Sequence, residues 1–320
     1  MSKLGLSESG KESPPTLTLC ALTYHRPVGV AQMLAGLGQL TFTGLPPELR
    51  IVIVDNDPDA SARVAVTDAA KSIPWPVSYH VEPRRGITYA RNRALSEAGD
   101  SEWIGFIDDD EIPSPDWLDQ LFRVQREYDA DVVSGPVIAE FPPDTPRWIT
   151  TGDFFSQLRY TTGTCLPYCF TNNVIFRTRI LRELDLCFDH RFALMGGEDR
   201  DFFQRIGLAG YRIIWADDAC VHETVPESRA RARWLLQRSY RLGNTLSVVD
   251  IANIDSLKTR LRLVTRACWC VVRGAFFLPL TWPLGREYPV LYLQYIFWGA
   301  GMFAGMFGSR YAEYKSVHGD

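Results

Sequence analysis

The amino-acid sequence predicts a layered α/β domain with a mixed, largely parallel sheet and helices on both faces, followed by a helical C-terminal region. Between Thr16 and about Val221, short runs rich in β-branched residues alternate with stretches of helical spacing. This alternation is typical of strand–helix–strand units. After His222 the composition changes, because nine basic and three acidic residues lie between Glu227 and Arg266 and long aromatic, apolar stretches follow.

Six runs have the length and composition of strands. They are residues 16–23, 50–56, 77–82, 103–108, 131–138 and 211–216. Residues 28–40 and 86–99 have helical spacing and lie between the early strands. Polar residues follow three of the strands, at 23–27, 55–57 and 108–111. Because open α/β sheets bind ligands at the carboxyl ends of their strands, these three ends are expected to share one crevice.

The bulk properties restrict the class of protein. The chain has 320 residues and a formal net charge of -4, which gives no reason to expect a nucleic-acid partner. Its seven cysteines lack the paired spacing of a zinc site and are interpreted as cytosolic thiols. Residues 1–14 are polar and are predicted to be a flexible tail without a signal peptide. We predict an α/β domain over residues 15–226 and a helical region over 227–320.

The fourth predicted strand delivers Asp108, Asp109 and Asp110 at its end. Like charges crowded at one place repel each other, so they need a cation or several hydrogen-bond donors nearby. Mg²⁺ and Mn²⁺ prefer oxygen ligands, which makes this cluster a candidate metal site. The alternative is a solvated acidic turn before a helix at residues 114–128.

Three single residues near the expected crevice each allow two interpretations. Asp55 follows an apolar strand and either accepts a hydrogen bond from a nucleobase or caps a turn. Arg91 either approaches a diphosphate or belongs to an exposed basic helix face. His222 is either a structural histidine or a metal ligand beside carboxylates.

The stretch GGEDRDFF, residues 196–203, places Glu198, Asp199 and Asp201 directly after two glycines. Acidic residues stabilise the first turn of a helix through the helix dipole, so the stretch predicts a helix start with Phe202 and Phe203 on the buried side. The stretch alone leaves open whether the acids only start the helix or also take part in chemistry.

In this order, the segments resemble the inverting family 2 glycosyltransferases, which have a Rossmann-like GT-A fold that binds nucleotide sugars. ALTYHRP, IVIVDND, ARNRAL, FIDDDE, GGEDRDFF and VH carry the resemblance, over about residues 16–245. Two longer stretches, SGPVIAEFPPDTPRWI and VHETVPESRARARWL, are similar to succinoglycan-type glucosyltransferases. Those enzymes extend a lipid-linked oligosaccharide in bacterial exopolysaccharide assembly.

The resemblance implies a role for each matched residue. The residues implied to hold the nucleotide sugar are Thr23, Tyr24, Arg26, Asp55, Arg91, Asp108 and Asp109. Those implied to hold Mn²⁺ or Mg²⁺ are Asp110 and His222. Asp199 matches the catalytic base of the family. The residues expected on the acceptor side are Gly197, Glu198, Asn172 and Trp148.

The implied reaction is the metal-dependent, inverting transfer of a hexose, expected to be glucose from UDP-glucose, to a polyprenyl-diphosphate-linked glycan. The expected partners are the UDP-sugar donor, the lipid-linked glycan acceptor, the membrane surface and other polysaccharide assembly proteins. A non-catalytic nucleotide-binding membrane scaffold is the alternative. A nucleotidyltransferase is disfavoured because ALTYHRPVG lacks a glycine-rich, basic triphosphate loop.

The last third of the chain carries a prediction about membranes. Residues 289–308 form an apolar run with one polar interruption, Gln294, and are just long enough to span a bilayer. Residues 267–284 contain Arg273 and two prolines and are predicted to be a poor span. We expect basic, aromatic helices to attach the protein to the cytoplasmic face of the bacterial inner membrane. A soluble helical subdomain is the alternative.

Overall fold

Residues 13–156 and 159–312 are described by this computed structural model, so all of the predicted tail but residues 13 and 14 lies outside it. The first elements alternate as the sequence predicts. They are β1 (Thr16–Thr23), α1 (Pro27–Leu37), β2 (Glu48–Asp55), α2 (Arg63–Ala70), β3 (Val77–Val81), α3 (Ile87–Ala98) and β4 (Trp103–Ile107).

The middle of the chain contains shorter elements. They are β5 (Glu111–Pro113), α4 (Trp117–Tyr128), β6 (Val132–Ser134), β7 (Val137–Glu140), α5 (Arg147–Thr151), β8 (Cys165–Leu166), β9 (Asn173–Arg177) and α6 (Arg179–Glu183). They continue with α7 (Glu198–Leu208), β10 (Ile213–Trp215) and β11 (Val221–Thr224). Three long helices follow, α8 (Ala232–Asn253), α9 (Leu257–Thr281) and α10 (Glu287–Met306).

The strands form two sheets. The main sheet has eight strands in the order β3-β2-β1-β4-β9-β6-β10-β8, with β9 and β8 antiparallel to their neighbours and the other pairs parallel. A second sheet has the order β5-β11-β7. The mixed, largely parallel sheet predicted from the sequence is confirmed.

The predicted strand 131–138 is wrong in one respect, because it is two strands that belong to different sheets. Gly135 and Pro136 separate β6 from β7. A Cβ atom at Gly135 would lie 2.3 Å from the carbonyl oxygen of Ala219, so the chain passes too close to a neighbour for any side chain. Pro136 cannot donate a backbone hydrogen bond to a sheet. The chain therefore leaves the main sheet here and enters the second one.

Helices cover both faces of the main sheet. Along β1, Leu17, Leu19 and Ala21 pack with α1 and α4, whereas Cys20 packs on the opposite face with α3 and α7. This distribution follows from the alternation of side chains along a strand. The carboxyl ends of β1, β2 and β4 carry the polar residues considered below.

The prediction that residues 267–284 are a poor span is wrong, because they lie largely in α9, and α9 rather than the run at 289–308 has the length and composition of a span. α10, which includes most of residues 289–308, packs along both α8 and α9. Its glycines allow close approach, since a Cβ atom at Gly301 would lie 2.0 Å from the carbonyl oxygen of Tyr240. By length and composition, one helix within the described residues is suited to crossing a membrane, and it is α9, with a mean hydropathy of 1.4 and 22% of its apolar stretch buried.

Candidate active site

The ends of three neighbouring strands meet at one edge of the main sheet. Thr23 and Asp55 are register partners at the ends of β1 and β2. β4 lies on the other side of β1 and ends at Ile107, directly before Asp108. The crevice expected from the sequence therefore has its three strands side by side.

The acidic cluster at the end of β4 is larger than the three aspartates predicted from the sequence. The backbone N–H of Asp108 donates to Glu111 Oε2 at 3.0 Å. Burial raises the pKa of Asp108 to about 7 and that of Asp109 to about 6. Burial also raises the pKa values of Glu111 and Glu223, with further contributions from neighbouring carboxylates. Such a cluster favours a bound cation or a retained proton.

Two arginines supply positive charge to this cluster. Arg26 Nη1 lies 3.1 Å from Asp109 Oδ1 and 2.8 Å from Asp110 Oδ2. Arg229 Nη2 lies 3.2 Å from Asp110 Oδ2, and Arg229 also pairs with Glu223. Arg229 comes from the basic stretch SRARARW, which the sequence analysis assigned to the membrane region. Its proximity to Asp110 depends on how β11 and α8 pack, which no local pattern reveals.

His222 lies on a different side of the second sheet from these acids. Its Nδ1 is 2.9 Å from Glu140 Oε1, and its Nε2 hydrogen-bonds with the hydroxyl of Ser114 at 3.1 Å. Glu223 pairs with Arg229 and so belongs to the Asp110 side. Because successive side chains of a strand point to opposite faces, His222 is turned away from Asp110. The structure therefore does not bring together the two residues predicted to share a metal.

The described part of the chain contains no group of three or more His, Cys, Asp or Glu side chains arranged around one metal position. Mg²⁺ sites often use only one or two carboxylates and complete their ligands with substrate phosphates and water. Asp110 fits this type of site because its carboxylate is polar, only partly buried and already attracts two cationic groups. The donor set therefore fits a metal that arrives with a diphosphate.

Arg91 connects the acidic cluster to the start of α7. Its Nη1 lies 2.9 Å from Glu198 Oε1, and both side chains are buried. The interpretation of Arg91 as part of an exposed basic face is therefore wrong. Burial raises the pKa of Glu198 to about 7, although Arg91 opposes this shift. Among the described residues, Glu198 Oε2 is buried and accepts no hydrogen bond.

The predicted helix start at GGEDRDFF is confirmed, since α7 begins at Glu198 with acidic residues in its first turn. Asp199 is half-buried, and its Oδ1 accepts a hydrogen bond from the N–H of Arg200 at 2.6 Å. Asp201 is buried and pairs with Arg205 at 2.9 Å, which gives it a structural role. Arg200 pairs with Asp250 of α8 at 2.7 Å and fixes the first turn against that helix.

Gly197 is explained by packing. It has φ +89°, and a Cβ atom there would lie 2.1 Å from Thr245 Cγ2 of α8. The space that a side chain at Gly197 would need is filled by α8, and the acceptor role of Gly197 remains a prediction.

The other two predicted acceptor contacts, Asn172 and Trp148, lie in different parts of the fold. Asn172 is half-buried, whereas its neighbour Asn173 is fully buried. The side chain of Asn173 accepts from Trp117 Nε1 and donates to two carbonyl oxygens, so it holds the core together. Trp148 lies on α5, where its ring packs on Phe154 and under the guanidinium of Arg286. The acceptor roles of Asn172 and Trp148 remain predictions.

Asp55 serves as a turn cap in this structure. Its carboxylate accepts hydrogen bonds from the backbone of Asp57 and Ala62 and from the hydroxyl of Tyr79. Asn56, which the sequence places with Asp55 and Asp57 after this strand but without a role of its own, donates from its amide to the carbonyl of Glu82 and accepts from the N–H of Gly86. These contacts hold the end of β2 against the loop before α3. Tyr24 follows the end of β1, is half-buried and packs its ring edge-on against that of His25.

Two sequence families and one curated relative each match more than half of this chain. The sequence profile described as "Glycosyl transferase family 2" matches residues 19–185, and the profile "Glycosyl transferase family group 2" matches residues 103–308. The succinoglycan biosynthesis protein ExoM of Rhizobium meliloti (strain 1021) is 36% identical over 225 residues, which cover 70% of this chain and 71% of ExoM.

Two solved proteins have the same fold. The mannosyltransferase PcManGT from Pyrobaculum calidifontis, in complex with GDP-Man and Mn²⁺, has a TM-score of 0.62 at 19% identity over 92% of this chain and 88% of its own. S. aureus TarS 1–349 in complex with UDP-GlcNAc has a TM-score of 0.52 at 16% identity over 95% of this chain and 98% of its own. The match covers 55% of a longer TarS chain. These likenesses confirm the GT-A fold.

Proposed function

The chain belongs to glycosyl transferase family 2 and is a transferase, and we propose that it moves a hexose from a nucleotide sugar to an acceptor hydroxyl in one inverting displacement. The ion pair between Arg91 and Glu198 carries this proposal. The pair joins α3 to the first turn of α7, where Asp199 lies, and the charge of Arg91 also opposes the rise in the pKa of Asp108 after β4. In this proposal the acids that hold the nucleotide sugar and the base that accepts the proton lie on the two sides of this buried ion pair.

The donor in this proposal is a UDP-sugar, and UDP-glucose is the first candidate. The nucleotide would occupy the crevice at the ends of β1 and β2, beside Thr23, Tyr24, Arg26 and Asp55. Asp108 and Asp109 would contact the ribose and the sugar. The nucleotide sugars bound by PcManGT and TarS support a donor of this class.

Asp110 would hold Mn²⁺ or Mg²⁺ together with oxygens of the diphosphate. When bound, the ion neutralises negative charge on the departing nucleoside diphosphate. Arg26 and Arg229 already contact Asp110, so the chain itself places positive charge where the diphosphate would lie. Arginine suits this position because its planar guanidinium binds phosphate oxygens in pairs.

Asp199 would take the proton from the acceptor hydroxyl. It is half-buried and so is accessible to an acceptor, unlike Glu198 and Asp201. One positioned carboxylate is sufficient, because a stabilised diphosphate leaves without being protonated, whereas a glycosidase needs a second carboxyl group as acid. Glu198, whose Oε2 is buried and accepts no hydrogen bond among the described residues, would instead hold the start of α7 in place through its ion pair with Arg91.

The acceptor in this proposal is a polyprenyl-diphosphate-linked glycan of exopolysaccharide assembly. The likeness to ExoM supports this class of acceptor. The exposed apolar surface of α9 supports attachment to the cytoplasmic face of the inner membrane through the region 227–320. The alternative, a scaffold that binds nucleotide without turnover, has no need for an accessible carboxylate at Asp199.

The test combines labelled nucleotide sugars, Mn²⁺ or Mg²⁺ and a bacterial lipid extract with the full chain. We expect label to enter the lipid fraction from one nucleotide sugar and EDTA to abolish transfer. Asp199→Asn should reduce the rate by about 100-fold or more, the usual effect of losing a general base. Asp185→Asn, at an exposed position, is the matched control. Full activity of Asp199→Asn would refute the base assignment. Absence of transfer from every nucleotide sugar, with binding of nucleotide retained, would favour the scaffold.

A further inference from the structure

A continuous series of arginine and aromatic contacts begins next to the turn between α9 and α10. The guanidinium of Arg286 lies 4.7 Å from the ring centre of Trp148. Trp148 packs edge-on against Phe154, with 5.8 Å between ring centres. The carbonyl oxygen of Phe154 accepts a hydrogen bond from Arg238 Nη1 at 3.4 Å. The series thus passes from α10 through α5 to α8.

The series continues from Arg238 to the acidic cluster. Arg238 lies 5.5 Å from the ring centre of Trp234, and Arg229 lies 5.9 Å from the same ring. Arg229 in turn lies 3.2 Å from Asp110. We use the name arginine strip for Arg286, Arg238 and Arg229 together with the rings of Trp148 and Trp234. The arginine strip links the α9–α10 turn to the proposed donor site.

The centre of the arginine strip has more positive charge than its neighbours balance. Within the described residues, no carboxylate lies within 4 Å of the guanidinium of Arg238. Burial and the nearby Arg241 lower the pKa of Arg238 to about 10, and Glu223, the acid that opposes this shift, is already paired with Arg229. Arg238 is half-buried, and its described partners, the carbonyl oxygen of Phe154 and the rings of Phe155 and Trp234, carry no formal negative charge, so this position favours a bound anion.

The outer end of the arginine strip lies beside an exposed apolar surface. Phe276, Leu280, Trp282 and Leu284 are 64%, 58%, 72% and 62% exposed, and Arg286 follows two residues later. Large exposed apolar side chains close together mark a surface that contacts lipid or a partner. A lipid chain on this surface would place its polar head at Arg286.

We propose that the arginine strip binds the diphosphate of the lipid-linked acceptor, with Arg238 as its central residue. The lipid chain would then extend along the α9–α10 turn, and the glycan would extend toward Asp110 and the donor. This inference rests on the proposed function, because it assigns a place to the acceptor of that reaction. Arginine and aromatic rings suit a diphosphate next to an apolar chain.

Binding of radiolabelled farnesyl diphosphate to the full chain in detergent tests this proposal. Saturating UDP and Mn²⁺ are present, so that the probe cannot occupy the donor site. We expect wild-type protein to bind the probe, and Arg238→Gln to bind it about tenfold more weakly, the scale of one lost charge-assisted contact. Arg233→Gln, at an exposed position on the same helix, is the matched control and should change the affinity less than about twofold. Arg286→Gln, on another helix, should also weaken binding.

Three outcomes would overturn the proposal. Unchanged affinity in both Arg238→Gln and Arg286→Gln would remove the arginine strip from the binding site. Binding of the probe in a parallel assay without UDP, but not in the presence of saturating UDP, would place it in the donor site. Displacement of the probe by phosphatidylglycerol at lower concentrations than by unlabelled farnesyl diphosphate would identify a phospholipid headgroup site. Absence of sugar transfer in the separate activity assay would refute the proposed function and leave this binding result standing.

Discussion

Arg91 Nη1 lies 2.9 Å from Glu198 Oε1, with 4% and 2% of the two side chains exposed. The contact crosses from α3 to the first turn of α7. The positive charge of Arg91 also opposes the rise in the pKa of Asp108 that burial causes. A single buried arginine therefore sets the position of the proposed base relative to the donor acids.

Replacing Arg91 by methionine should destabilise the fold strongly. The substitution leaves Glu198 as a buried charge without its partner, which costs about 3 to 5 kcal/mol in the free energy of unfolding. Lys71→Met is the control, because Lys71 and Asp68 form an exposed ion pair and should contribute about 1 kcal/mol or less. Urea unfolding followed by circular dichroism measures both. Equal losses in the two variants would contradict the structural role of Arg91.

The same pair predicts a dependence of stability on pH. The pKa of Glu198 is raised from 4.5 to about 7 mainly by burial, so between these values the folded state binds more protons than the unfolded state. Stability must then fall as pH rises through this range. Relative to Glu198→Gln, wild-type protein should lose at least about 1 kcal/mol between about pH 5 and about pH 7. Parallel stability curves for the two proteins would disprove the raised pKa.

Some of this arrangement follows from local sequence and some does not. The alternating apolar residues of β1 and the acid-rich start of α7 predict their structures correctly, because both depend on neighbours in sequence. The burial of Arg91 and the contact of Arg229 with Asp110 depend on how distant helices pack. Charged residues in isolated segments are normally exposed, so the local pattern favours the wrong environment for Arg91.

Arg229 should support donor binding. It bridges Asp110 and Glu223, so its loss removes positive charge from the place proposed for the diphosphate. Arg229→Gln should weaken binding of UDP in the presence of Mn²⁺ by about tenfold, as expected for one charge-assisted contact. Arg231→Gln, two residues away in an exposed pair with Glu227, is the control. Isothermal titration calorimetry measures both, and identical affinities would place the diphosphate elsewhere.

Gly197 and Gly210 have nearly the same φ angle, so their alanine variants separate the cost of a steric contact from the cost of backbone strain. Gly197 has φ +89° and lies against Thr245, whereas Gly210 has φ +92° and a Cβ atom there would have no other atom within 4 Å. Both alanine variants carry the backbone cost, but only Gly197→Ala also forces α7 and α8 apart. Gly197→Ala should lose about 1 to 3 kcal/mol more than Gly210→Ala, the usual cost of overpacking. Thermal and urea unfolding measure the loss in the free energy of unfolding for each variant. Equal losses would mean that α8 shifts away from the added methyl group at little cost.

The outward surface of α9 should bind lipid. The helix buries one narrow stripe, from Thr259 to Thr281, and exposes Trp269, Val272 and Phe276 on its other sides. Burying an aromatic side chain in the interface stabilises attachment through the apolar area removed from water, at about 25 cal/mol per Å². The double variant Trp269→Gln, Phe276→Gln should therefore bind phosphatidylglycerol vesicles at least about tenfold more weakly in a sedimentation assay.

Leu208→Gln removes an apolar side chain that is 56% exposed on α7, outside this surface, and should leave vesicle binding unchanged. If the double variant and Leu208→Gln bind vesicles equally, α9 does not provide the attachment. The packed position of α10 would then favour a helical region that serves only to hold α8 against the start of α7.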